Sequence, residues 1–484
     1  MRRALANLAL TWYPLGFVVA YVMISFGATP NPASALPRPL LVGGLVTILL
    51  QTVLWMALRN RQRAALGTSA AVLMLLAPWV PAGLAVAGGA WWLIVHSRRR
   101  RSGEPGLPVS VGQVNRILAV FALLFATVSI VSALPLAIGS GSPSTVSAAE
   151  IDEEAPDIVV ILLDGYPRAD AAAEMVGVDN SRFLAALEDR GFRLAERSRS
   201  NYTATWATLA SMLHGTYLEA IPNLAPPYPS DAAEQYRLLM RAIAAAPMLD
   251  PLRRRGYEIL TIPPPLEGAQ LTAAERVLSP PQLTALELSL IQRSVGGFLA
   301  LHLWPDVAFD QHRERTVSSL GLLTEEIDRA SDRPRFLLAH LMSPHPPMVW
   351  DAAGGQLDPP ACFPECSIYE TPDDAGWERL PGQMQHLNAL VLDSVDALVA
   401  SEPGSTIVLM SDHGMHRPGT EDANVFRSFF AIRSAVPVDV PSDIQPIQVL
   451  PLVTDGSTSR QPYRGWISAA EEPLTLSPYL GPAP

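Results

Sequence analysis

The sequence predicts an α/β protein in which an N-terminal helical transmembrane bundle precedes an α/β/α domain with a mainly parallel sheet. Three observations point there. Residues 1–138 hold long apolar runs punctuated by arginine clusters. Two later stretches, 157–164 and 405–411, are rich in Val, Ile and Leu, read as strands buried on both faces, and lead to Asp164 and to Asp412-His413. Strand-like and helix-like stretches alternate through the second half, the pattern of βαβ units.

Charge divides the 484-residue chain in the same place. Lysine is absent. Residues 1–149 hold eleven Arg against the single acid Glu104, or +10, and the remainder holds 24 Arg against 45 acids, or −21, which together give the net −11. Such asymmetry indicates two environments. An acidic globular half is a poor partner for nucleic acid.

The runs 8–27, 40–58 and 117–136 are each close to the ~20 residues that span a bilayer. The run 66–95 is uncharged but interrupted by Pro78 and Pro81. Arg2 and Arg3, then Arg59, Arg61 and Arg63, then Arg98 to Arg101 flank these runs, and such clusters stay cytoplasmic. Keeping all three on one side makes 66–95 two short spans or a re-entrant hairpin, giving about five crossings. The last span then exits, and the rest of the chain lies outside the cytoplasm. Residues 139–156, a Gly/Ser/Pro/Ala/Glu segment, read as a flexible linker. The globular α/β half is expected over 157–455, with a Pro-rich tail at 456–484.

Within that half, strands are expected at 157–164, 257–262, 335–341, 405–411 and 426–432, and helices at 181–187, from Thr205 to Gly215, through much of 280–330 and at 383–399. Cys362 and Cys366 are four residues apart, and outside the cytoplasm a local disulfide is expected. A metal role for them is less well supported, because no second Cys pair accompanies them.

The stretch from Ser200 to Gly215 reads as a polar loop feeding a short helix. Thr205 sits where an N-cap belongs, and Gly215 where a helix stops. A hydroxyl there faces free N–H groups and the positive end of the helix dipole, a setting that favours an anion. Taken alone, Thr205 reads as a cap. Taken with Asp164 and Asp412-His413 at strand C-termini, where parallel sheets bind ligands, it reads as part of a metal site.

Together, Asp164-Gly165, Thr205 with Gly215 ten residues on, and Ser411-Asp412-His413-Gly414 resemble the alkaline phosphatase superfamily. Within it, the chain looks like the membrane-anchored, sulfatase-like branch that includes the lipoteichoic acid synthases. The resemblance covers roughly 157–455. It implies that Asp164, Thr205, Asp412 and His413 hold metal and that Thr205 is the nucleophile. A donor set of two carboxylates, one hydroxyl oxygen and one imidazole suits Mn²⁺ or Zn²⁺, with Mg²⁺ possible. One ion is expected. Asp373 and Asp374 are followed by Ala375-Gly376-Trp377 and not by His, and His416 alone keeps a second ion open. In similar proteins the histidine of the turn after a strand contacts phosphate or leaving group, which points to His345. Arg168 and Asn201 are candidate phosphate donors, with surface or loop roles as the alternative. His340 is expected to pack within its strand, and His214, His302, His312 and His386 carry no expected role. A sulfatase nucleophile motif of Cys or Ser followed by Pro and Arg is missing from Thr205-Trp206-Ala207-Thr208-Leu209.

The expected function is therefore metal-dependent phosphoryl transfer or phosphoester hydrolysis outside the cytoplasm, on a membrane lipid or envelope glycan. A non-catalytic envelope protein and a sulfuric ester hydrolase are the alternatives.

Overall fold

The computed structural model describes residues 11–76, 111–139, 155–224, 232–360, 363, 374–415 and 422–456. Most of the linker, the Pro78 and Pro81 bend, Cys362, Cys366, Asp373, the side chain of Asp374, His416 and the tail beyond 456 lie outside the described residues. The chain forms two compact units, one of Met1–Gly139 with Leu286–Leu303, the other of Ser140–Ala285 with Trp304–Pro484.

The first unit is helical: Pro14–Ala28, Pro37–Leu58, Arg61–Leu76 and Val111–Gly139. Among the described residues, two helices are long and apolar enough to cross a membrane, Ala33–Leu58 and Val111–Leu134, with Pro14–Ala28 a shorter apolar helix. Small residues fill the helix contacts: Ala20, Ala64, Ala65 and Ala122 are wholly buried. Large apolar side chains point outward instead, among them Leu41, Leu45 and Leu49 on one helix and Ile117, Leu123 and Val131 on another. Small residues at contacts are what lets helices approach closely when lipid, not water, surrounds them. Some interior polar side chains pair across helices. Tyr13 donates to Asn115 at 2.7 Å, and Asn115 donates to the Gln62 carbonyl at 2.9 Å.

The second unit is an α/β fold around a seven-stranded sheet in the order β2-β7-β6-β1-β5-β3-β4. The strands are β1 (Ile158–Leu163), β2 (Arg193–Leu194), β3 (Glu258–Ile262), β4 (Arg276–Val277), β5 (Arg335–Leu341), β6 (Thr406–Met410) and β7 (Phe430–Arg433). From β6 to β4 every pairing is parallel; β7 runs antiparallel to β6 and to β2.

Central β1 is Ile-Val-Val-Ile-Leu-Leu and all six residues are buried. Its side chains alternate between two cores, as the two-residue period of a strand requires. Ile158, Val160 and Leu162 face one core, which includes Leu209 and Met212 of the Thr205–His214 helix. Val159, Ile161 and Leu163 face the other, which includes Leu387 and Val391 of the Leu380–Ser401 helix. Each such aliphatic chain stabilises by roughly 1.5–3 kcal/mol when fully buried, so six in register commit β1 to the sheet centre. At the opposite end of the sheet from the strand C-termini, buried Arg335 donates backbone N–H and side-chain Nε to Asp157 at 2.6 and 2.8 Å, locking β5 to the start of β1.

The structure corrects one local reading. Ala204, in extended conformation, occupies the N-cap position, and Thr205 is the first helical residue. No side chain caps this helix. The far end is as expected, with Gly215 in the left-handed region at φ 64°.

Candidate metal centre

Asp164 leaves the end of β1, and Asp412 and His413 leave the end of the adjacent β6. Gly165 then turns the chain at φ +67°, a conformation that glycine adopts without steric cost. Its N–H donates to Asp412 Oδ1 at 3.0 Å, which ties the two strand ends together. Beneath this turn Tyr166, Asn180 and Asn388 close a ring of three 2.7 Å hydrogen bonds. Gly414 has no room for a side chain: a Cβ there would meet the Asn424 carbonyl at 2.5 Å. Both glycines thus hold the backbone that aims the acids and the imidazole.

Asp164, Asp412 and His413 are all buried, and one donor atom from each lies within 4.8 Å of the others. His413 Nδ1 lies 2.6 Å from the Gly414 carbonyl. A carbonyl only accepts, so Nδ1 carries the hydrogen and Nε2 presents its lone pair. That Nε2 stands 3.3 Å from Asp412 Oδ2 and 3.9 Å from Asp164 Oδ1. Neither of those carboxylate oxygens has a hydrogen-bond partner. With His413 neutral, three buried acceptors face one another, and the repulsion is relieved only by a proton on Nε2 or by a cation among them. The donor set therefore fits a divalent metal ion.

Thr205 completes the cluster. Its Oγ1 lies 3.4 Å from Asp164 Oδ2 and 3.4 Å from His413 Nε2. Both exceed the roughly 2.7–2.8 Å of a tight O–H···O bond, so the groups converge without closing on each other. The hydroxyl is not spent on capping.

His340 is where the sequence reading falls short. It is buried in β5, as expected, but its Nε2 lies 3.0 Å from Asp164 Oδ2. Asp164 Oδ2 thereby accepts from both His340 and Thr205, which leaves Oδ1 for the centre. The parallel register sets this up, because Leu162 pairs with His340 one step before the strand ends. Strand pairing is the missing signal, and a single strand's alternation does not carry it. His312, with no expected role, is also buried and lines a small pocket with His340, Arg315 and Thr316. Burial, with His345, Arg315 and Arg313 nearby, pushes its imidazole down to about 3, so it is neutral.

His345 sits half-buried beside the centre: a Cβ on Gly165 would lie 3.7 Å from both the His345 and the His413 rings. Its N–H donates to the Asp164 carbonyl at 3.1 Å. Arg168 is engaged elsewhere, with its guanidinium donating to both Asp170 oxygens at 2.7 Å and to the Ser198 carbonyl at 2.8 Å. Asn201 is buried and donates to Gln445 at 2.5 Å. His214 donates to the Ala242 carbonyl and His386 packs on Trp350.

Burial alone would raise the Asp164 carboxyl, but the His340 hydrogen bond and the adjacent His345 and His413 hold it down at about 2. Burial would lower the His413 imidazole, yet Asp412, Asp164 and the Gly414 carbonyl raise it above its usual value. Without a cation, His413 thus keeps a proton at pH values where a free imidazole, with a pKa of about 6.5, has lost it. A metal must displace that proton, so affinity is expected to rise with pH and level off above the raised value. Calorimetry at about pH 6.5, the ordinary imidazole value, in two buffers of different ionisation enthalpy should show protons released on binding; no release would remove His413 from the ligand set.

No protein-family model matches the chain, and no curated protein matches it. Among solved structures it is similar to the C-terminal periplasmic domain of EptC from Escherichia coli in complex with zinc, at 13% identity, covering 63% of this chain and 84% of that one, with a TM-score of 0.39. It is similar to the lipoteichoic acid synthase LtaP from Listeria monocytogenes at 12% identity, covering 62% of this chain and 71% of that one, with a TM-score of 0.38. It is similar also to the integral membrane lipooligosaccharide phosphoethanolamine transferase EptA from Neisseria meningitidis, at 13% identity, covering 82% of this chain and 69% of that one, with a TM-score of 0.40. At these scores the functional reading rests on the chain's own residues.

Proposed function

We propose that the chain is a membrane-anchored phosphoryl-group transferase or phosphoester hydrolase that works outside the cytoplasm on a lipid-linked or envelope substrate. The observation that carries this reading is the Thr205 hydroxyl, 3.4 Å from both Asp164 and His413, beside two buried carboxylate oxygens without partners. Asp164, Asp412, His413 and Thr205 would hold one divalent ion, Mn²⁺ or Zn²⁺ by donor type, with Mg²⁺ possible. When bound, it supplies positive charge that lowers the hydroxyl pKa and offsets the charge of the phosphate.

The chain's own residues do the remainder. Asp164, held ionised, accepts the hydrogen bond of Thr205 and orients Oγ1 toward the crevice. Thr205 Oγ1 attacks phosphorus, the bond to the leaving alcohol breaks, and that alcohol departs with a proton. A second alcohol or a water then attacks the phosphorylated Thr205 and regenerates the hydroxyl. His340 fixes the Asp164 carboxylate through Oδ2, a supporting contact of the kind that tunes a metal ligand. His345, half-buried beside the centre, would meet the phosphate or the leaving group.

Five crossings, with 66–95 as a hairpin and 157–455 outside, complete the reading. The outward-facing Leu and Val side chains of the N-terminal helices and the three arginine clusters support it. The test is full-length protein loaded with Mn²⁺ or Zn²⁺ and offered aryl phosphate monoester, phosphodiester and sulfate ester. Turnover of a phosphate ester that stops on chelation is the expected result. Turnover of the sulfate alone, or of none, would contradict it.

A further inference from the structure

We infer that Leu286–Leu303, although it lies in sequence between β4 and β5 of the catalytic sheet, dips into the outer leaflet of the bilayer and contacts lipid acyl chains. The inference rests on the membrane reading of the N-terminal helices. Two short helices, Ala285–Gln292 and Val295–Leu303, make up the segment. Ser294 joins them, its Oγ accepting from the Gly297 N–H at 2.9 Å.

One side of the segment is seated on the helical unit to which it belongs. Leu286 is buried with Met23, Phe26, Ala35 and Ala133. The Leu290 carbonyl accepts from Tyr21 Oη at 3.1 Å. The segment's one carboxylate, Glu287, is paired with Arg38, so its charge is neutralised within the unit. Gly296 packs by Leu75. Phe26, Arg38, Leu75 and Ala133 lie toward the same ends of their helices: Ala28, Pro37, Leu76 and Gly139. In the five-crossing topology those are the extracytoplasmic ends.

The other side is mainly apolar and faces out, with the exposed His302 as the polar residue among its apolar side chains. Val295, Phe298, Leu299 and Leu303 are 37%, 51%, 49% and 67% exposed. Their spacing places them on one stripe of the helix. A helix in water turns such a stripe inward; this one presents it to the surroundings. The stripe continues the outward apolar surface of the Arg61–Leu76 helix, where Met74 and Leu75 are also exposed. A surface continuous with lipid-facing side chains, whose one acid is already paired, fits acyl chains. The chain thus returns to the membrane in the middle of its catalytic half.

The test uses the full-length chain in phosphatidylcholine nanodiscs, with Cys362→Ser and Cys366→Ser removing native thiols. Nitroxide labels are placed by Leu299→Cys and, separately, Leu303→Cys. Leu45→Cys on the Pro37–Leu58 helix serves as lipid reference, and Glu196→Cys, exposed in the second unit, as water reference. At 299 and 303, oxygen is expected to relax the label more than a water-soluble nickel chelate does, as at 45 and opposite to 196. A 299 label that behaves like 196 while 45 stays in lipid overturns the inference alone. Water-like behaviour at 45 as well overturns the membrane reading with it. Shielding of 299 from both relaxants, or broadening by a neighbouring spin, would put protein or a second copy on the stripe and also overturn it.

Discussion

Thr205→Ala is expected to cut phosphate-ester turnover by roughly ten-thousandfold or more, the scale seen when a covalent route loses its attacking atom. Much of the metal is expected to stay, because Asp164, Asp412 and His413 remain and do not depend on the hydroxyl for their positions. The fold should hardly notice. Losing a capping Thr costs about 1 kcal/mol, but Thr205 caps nothing, since Ala204 occupies that position. Thr205→Ser keeps an oxygen and should retain part of the rate. Thr208→Ala is the control: Thr208 is buried on the same helix, and its hydroxyl has no hydrogen-bond partner. The measurements are turnover, bound metal and thermal midpoint for all three variants. If Thr205→Ala turned over like wild type while Thr208→Ala was dead, the wrong threonine would have been named.

Asp412 separates two jobs that Thr205 does not. Its Oδ1 accepts the Gly165 N–H at 3.0 Å and ties β6 to β1, while Oδ2 faces the centre, 3.3 Å from His413 Nε2 and without a hydrogen-bond partner. Asp412→Ala loses both, and metal and activity are expected to disappear together, with some loss of stability from the unpaired Gly165 N–H. Asp412→Asn keeps a carbonyl oxygen for Gly165 but replaces the charged oxygen by an amide. It should fold like wild type yet bind metal substoichiometrically and turn over poorly. Metal analysis beside thermal unfolding distinguishes the two variants. An Asn variant with full metal and full rate would move the centre away from Asp412.

The residues of this centre differ in how far the amino-acid sequence reveals them. β1 and β6 announce themselves because strands buried on both faces are runs of Val, Ile and Leu, and each run leads to a residue of the centre. Asp164 and Asp412-His413 are therefore legible from position alone. The edge strands Arg193–Leu194 and Arg276–Val277 are not, since two residues carry no period. Thr205 reads as a cap because a threonine before an apolar helical run usually is one; the backbone of Ala204 decides otherwise. His340 reads as a packing residue because its role depends on which strand lies beside β5, and that is a fact of pairing. Arg168 is a natural phosphate donor by residue type, but Asp170, two residues on, takes its Nε and Nη2, and the Ser198 carbonyl takes its Nη1. The Leu286–Leu303 segment blends into a longer helical region, because a helix with an apolar stripe reads the same whether core or lipid covers it.

The proposed chemistry passes through a single atom, so the most direct measurement is to catch the substrate on it. Metal-loaded full-length protein would be mixed with bis-nitrophenyl phosphate, quenched in acid within one turnover, digested and read by mass spectrometry. Attack by Thr205 expels one nitrophenolate and leaves a nitrophenyl phosphoryl group on Thr205 Oγ1. That adduct on the peptide containing Thr205, and its disappearance in Thr205→Ala, is the expected result. An adduct on another residue, or one that persists in Thr205→Ala, would contradict the account.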